Sequence, residues 1–383
     1  MKKLEGECKM KRVLYLCNYM TESIQKLRNN KASFSQAANN KVTGITKALL
    51  YNDCEVLILS SGLVNNKTGR FYPEVSEKID LAQVIYAGMR DIPVLGSFSA
   101  AVHMYRLICR LHAEKKIDNI IFYNYKPEVA LPALWAKKRL GIPITVEYED
   151  GYSSIADIKG LKKLIFTKTE KIVSKKIDSA ILVSAQLQTL FSVPTVVVRG
   201  VVNEDFYQEC RNYKKRKNEK FTILYSGDLG KTRGVGVLYD ALGSFKEDCR
   251  VVITGKGKLG ANDPRIDFRG FVSYQEVKDL MKQADVLLQC QRTKDSFAQT
   301  SFPSKLFEYI ATGNVIVSSA MDDVKRFAGD AIIYYENDDS KKLAESLEKA
   351  YLLYKKENNN EKIERLCKEN LPCNVGKYIV EIL

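Results

Sequence analysis

Two histidines in 383 residues, His103 and His112, leave too little imidazole for a histidine-rich metal site. The nine cysteines are scattered and none forms a C-x-x-C pair. Several, Cys17 and Cys290 among them, stand in apolar runs. That distribution excludes a zinc ribbon or a disulfide framework and predicts reduced, buried thiols in a cytoplasmic protein. Long apolar runs are also missing. Lys2 and Lys3 are followed by only a short apolar stretch, Val13 to Cys17, with no small-residue cleavage pattern. Neither a signal peptide nor a membrane span of about 20 apolar residues is expected. RNP-like, zinc-finger and basic-zipper patterns are absent as well, so nucleic acid is not an expected partner.

Positive charge is plentiful and unevenly placed. Residues 1–200 hold 30 Lys and Arg against 18 Asp and Glu, which accounts for 12 of the formal net charge of +14. A basic N-terminal half suits an anionic membrane surface and predicts a cytoplasmic protein that is peripheral on the inner face of the cell membrane. The segment from Lys159 to Lys176 concentrates that charge: Lys159, Lys162, Lys163, Lys168, Lys171, Lys175 and Lys176 against Glu170. Its Leu161, Leu164, Ile165, Ile172 and Val173 read as an apolar stripe, either packed on the protein's own sheet or lying on lipid.

Apolar periodicity alternates along the chain. Strands are expected at 12–17, 54–59, 119–123, 143–147, 179–183 and 195–199, with helices at 33–50, 102–115, 127–140 and 159–176. A polar, basic run, Arg211 to Lys220, then interrupts the pattern. A second series follows, with strands at 221–225, 250–254, 285–290, 315–318 and 331–335 and helices at 235–242, 275–283 and 340–354. The residues from 65 to 92 show no clear pattern. Strand and helix in this order predict an α/β fold of two facing doubly wound, Rossmann-like domains with a cleft between them. The expected boundaries are 1–200 for an N-terminal domain, 201–220 for a linker and 221–371 for a C-terminal domain. A last segment, 372–383, is expected to cross back to the first domain.

Ligands of parallel sheets sit at the carboxyl ends of strands, and three segments there carry suitable chemistry. Tyr225-Ser226-Gly227-Asp228-Leu229-Gly230-Lys231-Thr232-Arg233-Gly234 leads from a strand into a helix, and its glycines let backbone N–H groups approach an anion. It is not a P-loop, because that pattern needs glycine at 225, which is Tyr225. Gly255-Lys256-Gly257-Lys258-Leu259-Gly260 follows the next strand. Phe302-Pro303-Ser304-Lys305-Leu306-Phe307-Glu308-Tyr309-Ile310-Ala311-Thr312-Gly313 reads as a short helix with proline in its first turn and glycine as its left-handed cap. Lys305 and Glu308 share one face of it, while Leu306 and Ile310 face the core. In the N-terminal half the same edge offers Tyr125, Glu149 and Asp150.

Together with Gly270-Phe271-Val272-Ser273-Tyr274 and Ala284-Asp285-Val286-Leu287-Leu288, these pieces resemble the retaining, GT-B-fold glycosyltransferases of family 4, especially those of bacterial surface-polysaccharide pathways. The resemblance implies sugar transfer from a nucleotide-sugar, UDP- or GDP-linked, to a saccharide or polyprenyl-linked saccharide in capsule, O-antigen or exopolysaccharide synthesis. It makes Glu308 the carboxylate for the donor ribose, and Arg233 and Lys305 the phosphate cations. Gly227, Lys231, Gly255, Pro303 and Ser304 become donor-binding residues, and the turn at Val272 holds the nucleobase through its backbone. Glu149, Asp150 and Tyr125 become candidates for orienting acceptor or donor hydroxyls. No cofactor and no metal are implied, since cations and helix N-termini can offset charge on the departing phosphate. Two positions depart from the pattern: Thr300 stands where a glutamate is usual, and Asp228 where an arginine often follows the first loop glycine. A nucleotide-sugar 2-epimerase of the same fold and a non-catalytic glycosyltransferase-like partner protein are the alternatives.

Overall fold

The computed structural model describes residues 10–29, 36–79, 82–93, 95–149, 160–230, 233–260, 262–294, 301–336, 338–355 and 361–383. Two compact units divide the chain, Met1–Val201 with Pro372–Leu383, and Val202–Leu371.

The first unit begins with β1 (Lys11–Cys17), α1 (Glu22–Leu27), α2 (Gln36–Leu50), β2 (Cys54–Ser60), β3 (Phe71–Tyr72), β4 (Val75–Lys78), β5 (Gln83–Tyr86) and β6 (Met89–Arg90). It continues through α3 (Leu95–Glu114), β7 (Asn119–Tyr123), α4 (Pro127–Leu140), β8 (Ile144–Tyr148), α5 (Gly160–Val173), β9 (Ser179–Leu182) and β10 (Thr195–Val197). Its main sheet runs β10-β9-β8-β7-β1-β2-β5-β4. All pairings are parallel except β4 on β5. Every residue of β1 from Arg12 to Cys17 is buried, as a strand covered on both faces requires. The order runs outward from β1 in both directions, through α2 to β2 and through α4 and α5 to β8 and β9, and α4 packs against both α3 and α5. The short strands between 71 and 90 fall where the sequence shows no pattern: β4 is half-exposed and β3 and β6 are two residues each.

The second unit holds α6 (Glu204–Asn212), β11 (Phe221–Ser226), α7 (Val235–Leu242), β12 (Cys249–Thr254), β13 (Ile266–Gly270), α8 (Tyr274–Gln283) and β14 (Val286–Gln289). Then come α9 (Lys305–Thr312), β15 (Val315–Ser319), α10 (Asp322–Ala328), β16 (Ile333–Tyr335), α11 (Ser340–Lys355) and α12 (Glu361–Glu369). Its sheet is wholly parallel in the order β13-β12-β11-β14-β15-β16. The last helix, α13 (Pro372–Glu381), packs on α2 in the first unit. There the Lys11 ammonium donates to the Leu383 carbonyl at 2.8 Å.

One expectation needs correction. The segment read as a linker contains α6, started by the Asn203 side chain accepting from the Phe206 N–H at 3.0 Å. Phe206 and Tyr207 bury one side, and the Tyr207 hydroxyl donates to Glu364 at 2.7 Å. The dense charge of Arg211 to Lys220 hides this short amphipathic turn from a periodicity reading. The β13 strand is missed for a related reason. None of its five residues is fully buried, so it carries little apolar signal.

Candidate functional site

At the carboxyl edge of the second sheet, α9 starts from a tight turn. The Pro303 carbonyl accepts from the Leu306 N–H at 3.0 Å and Ser304 has helical dihedrals, so proline stands just ahead of the first regular turn. Leu306, Phe307, Tyr309, Ile310 and Ala311 are buried, and Phe302, Phe307 and Phe327 stack at 5.1–5.7 Å to fix the helix against α10. Gly313 closes it in the left-handed conformation.

This anchoring leaves Glu308 half-buried, its side chain 14% exposed. One carboxylate oxygen, Oε1, accepts the Tyr274 hydroxyl at 2.7 Å. The other, Oε2, is buried without a hydrogen bond; Lys305 Nζ lies 3.7 Å away, an ion-pair distance rather than a bonding one. A buried carboxylate oxygen without a donor is costly. A ligand hydroxyl would satisfy it. Sequence reasoning treats Tyr274 only as the end of a turn. Its signal was Ser273, whose side chain caps α8 and sets Tyr274 as the first helical residue. Replacing Tyr274 by Phe is expected to weaken donor affinity about threefold to tenfold through lost positioning of Glu308, as a net hydrogen bond of about 1 kcal/mol implies. Calorimetric titration with a nucleoside diphosphate measures it.

The two glycine loops are locked to each other. Gly227 N–H donates to the Thr254 carbonyl at 2.9 Å, Leu229 N–H to Lys256 at 2.8 Å and Gly255 N–H to Gly270 at 2.8 Å. At Gly255 (φ +145°) a Cβ would lie 1.6 Å from the Gly227 carbonyl oxygen. At Gly234 (φ +72°) it would lie 1.7 Å from that of Cys290. The N–H groups expected to face an anion at Gly227 and Gly255 are therefore engaged within the protein, and what these glycines provide is close backbone packing at the sheet edge.

Arg233 is exposed just before α7, and Lys231 lies outside the described residues, as does Thr300. Asp228 occupies the arginine position of the resembling family and uses its carboxylate to accept the Gly230 N–H at 2.7 Å, shaping the loop. Val272 is half-buried in the turn before α8, beside Phe271, which is 74% exposed and carries Lys256 Nζ 5.0 Å above its ring. A cavity of 770 Å³ opens by α7, lined among others by Gly234, Lys258, Arg292, Lys294 and Asp338; neither Lys305 nor Glu308 borders it. Among the described residues no group of three or more His, Cys, Asp or Glu is placed to hold a metal ion.

In the first unit, Glu149 follows β8 and Asp150 lies outside the described residues. Glu149 belongs to a buried network that the sequence did not show. Lys41 on α2 pairs with Glu149 and, at 3.2 Å, with Glu147. The Tyr15 hydroxyl donates to Glu147 and the Tyr123 hydroxyl to Glu149. Asn124, in the left-handed region, accepts the Glu149 N–H at 2.8 Å and so fixes the loop. Tyr125 differs from expectation. It is 1% exposed, its hydroxyl is buried, and it packs between Phe122 and Tyr148 as part of the core.

Burial opposes the charge of Glu149, yet Lys41 and the Tyr123 hydroxyl outweigh it and hold the carboxyl below its ordinary range. Burial is the largest effect on Glu147 and raises it. A depressed carboxyl adds stability above its unfolded pKa and loses it as pH falls through the folded one; the raised Glu147 acts with the opposite sign. Glu149→Gln is thus expected to destabilise the protein by about 1–3 kcal/mol at neutral pH, with the difference narrowing in acid. Urea titrations at neutral and acid pH give both values.

Residues 220–352 match the family model described as Glycosyl transferases group 1. The matched stretch lies within the second unit and runs from the start of β11 into α11. No curated protein matches the chain in sequence. Solved structures match it over nearly its whole length. Sucrose-phosphate synthase from Thermosynechococcus elongatus is 13% identical with a TM-score of 0.66, over 97% of this chain and 99% of that one. A glycosyltransferase from Rickettsia africae is 14% identical at a TM-score of 0.64, over 97% of each. Anabaena HepE, solved in complex with UDP-glucose, is 12% identical at 0.62, over 97% and 98%. At these identities the likeness establishes the fold, which is the GT-B arrangement of two Rossmann-like domains. The Glu308 site lies within the stretch that matches the family model.

Proposed function

We propose that this protein transfers a sugar from a nucleotide-sugar to a saccharide or lipid-linked saccharide, with retention of anomeric configuration, in the synthesis of a surface polysaccharide. The observation that carries the reading is the buried, undonated oxygen of Glu308 beside Tyr274, inside the segment that matches the group 1 model. Glu308 receives two ribose hydroxyl donors. Lys305 and Arg233, with the start of α9, meet the diphosphate. As the bond between the anomeric carbon and the phosphate oxygen breaks, the negative charge on the nucleoside diphosphate grows and these cations stabilise it. The acceptor oxygen bonds to the anomeric carbon on the same face, and its proton passes to the leaving phosphate. Structural neighbours solved with UDP-glucose, or with ADP and acarbose, support a nucleotide-sugar as the class of donor. The basic first unit, on this reading, faces an anionic membrane surface that presents a lipid-linked acceptor.

A panel of UDP- and GDP-sugars, incubated with and without a polyprenyl-linked saccharide, tests the proposal. Nucleoside diphosphate release that requires the acceptor, with a product of unchanged anomeric configuration, supports it. An epimerised sugar formed from donor alone, or no donor binding at all, contradicts it.

A further inference from the structure

Helix α5 does not pack as a single apolar stripe. Phe166, Thr169 and Val173 are its buried residues, whereas Leu161, Leu164 and Ile172 are 62%, 64% and 45% exposed. With about 100° between successive residues, the exposed three centre roughly 120° away from the buried three. The helix therefore has a core face and a separate outward apolar face. Lys168 shares the outward face, Lys162 and Lys171 are exposed on the same helix, and Lys175 and Lys176 are exposed in the 3-10 turn that follows it, Ser174–Lys176. The one acidic residue of α5, Glu170, is drawn aside by the Tyr148 hydroxyl, which donates to it at 2.9 Å.

We infer that α5 is a membrane-docking helix whose Leu161, Leu164 and Ile172 enter the headgroup–acyl boundary of an anionic leaflet while its lysines bind lipid phosphates. Exposed leucines ringed by lysines match a lipid surface in both respects, because apolar contact and cation–phosphate attraction occur at adjacent depths. A protein partner fits less well, since interface cores are depleted of lysine. The surplus of basic residues in positions 1–200 adds a field of the same sign. The inference rests on the proposed membrane-facing role of the first unit and replaces a purely electrostatic contact by one that includes insertion. Salt then weakens binding without abolishing its apolar part.

Sedimentation of the full chain with vesicles tests this, comparing phosphatidylglycerol–phosphatidylcholine mixtures with phosphatidylcholine alone. Wild type is expected to bind the anionic vesicles preferentially. The double variant Leu161→Ser with Leu164→Ser should weaken that binding about tenfold or more, as removal of two interfacial leucines implies, with an unchanged melting temperature because both side chains are already exposed. Neutralising Lys162, Lys168 and Lys171 to Gln should weaken it further and flatten its salt dependence. Leu164→Trp should shift its emission to the blue on binding and be quenched by brominated acyl chains. Equal binding by the leucine variant, absence of quenching, or no binding by wild type overturns the inference. So does a wild-type dimer that the same leucine variant makes monomeric. Nucleoside diphosphate binding in the same preparation reports the donor site separately. Wild type that binds the nucleoside diphosphate but no vesicles refutes the docking helix alone, whereas wild type that binds no nucleoside diphosphate refutes the proposed function.

Discussion

Glu308→Gln is expected to lower kcat/KM for sugar transfer by about a hundredfold or more, since two hydrogen bonds to a charged carboxylate contribute roughly 1.5–3 kcal/mol each. The substitution keeps an oxygen for the Tyr274 hydroxyl and the size of the side chain, so the fold should be undisturbed. Most of the loss should appear in donor KM, because the ribose is remote from the bond that breaks and its contacts act on ground and transition states alike. The competing account treats Glu308 as half of a surface ion pair with Lys305. At 3.7 Å, with Lys305 37% exposed, such a pair contributes at most about 1 kcal/mol and its loss should leave turnover within several-fold of wild type. Steady-state kinetics on the two proteins separates these outcomes.

The second large effect concerns stability. Gly234→Ala is expected to destabilise the second unit by about 3 kcal/mol or more, combining left-handed strain of roughly 1–2 kcal/mol with overpacking of roughly 1–3 kcal/mol. The added carbon would meet the Cys290 carbonyl oxygen at 1.7 Å, and that oxygen belongs to backbone at the end of β14, which has little room to yield. For a unit of this size the melting temperature should fall by about 6–12 °C. Gly313→Ala provides the control. Its φ of +74° is nearly the same, but nothing lies within 4 Å of the added carbon, so only the conformational strain of roughly 1–2 kcal/mol remains. Scanning calorimetry of both variants against wild type measures the difference, and equal losses would mean that close packing of the loops plays no part.

Much of this fold was legible because its strands are buried on both faces and its helices are separated by short loops. Strands such as β1 and β14 announce themselves as continuous apolar runs. The α9 segment was legible in detail, since proline, glycine and the Leu306–Ile310 spacing each have a local physical meaning. What the sequence could not show were contacts made across it. Tyr274 and Glu308 are 34 positions apart, and Lys41 and Glu149 are 108 apart; nothing in either neighbourhood points to the other. The glycine loops hide their bonding in the same way. Their spacing suggested N–H groups open to an anion, and the structure engages those at Gly227 and Gly255 with neighbouring carbonyls. Likewise α5 showed enough leucine and isoleucine for one stripe, and only the packing reveals that the stripe is divided between core and solvent.

The central claim is that Glu308 holds the ribose of a nucleotide donor. A binding cycle tests it most directly: calorimetric affinities of wild type and Glu308→Gln for a nucleoside diphosphate and for its analogue lacking both ribose hydroxyls. The account predicts that removing the hydroxyls weakens wild type by about a hundredfold or more and hardly affects the variant, a coupling of at least roughly 2 kcal/mol. Equal losses in both proteins, with the two changes simply adding, would contradict it.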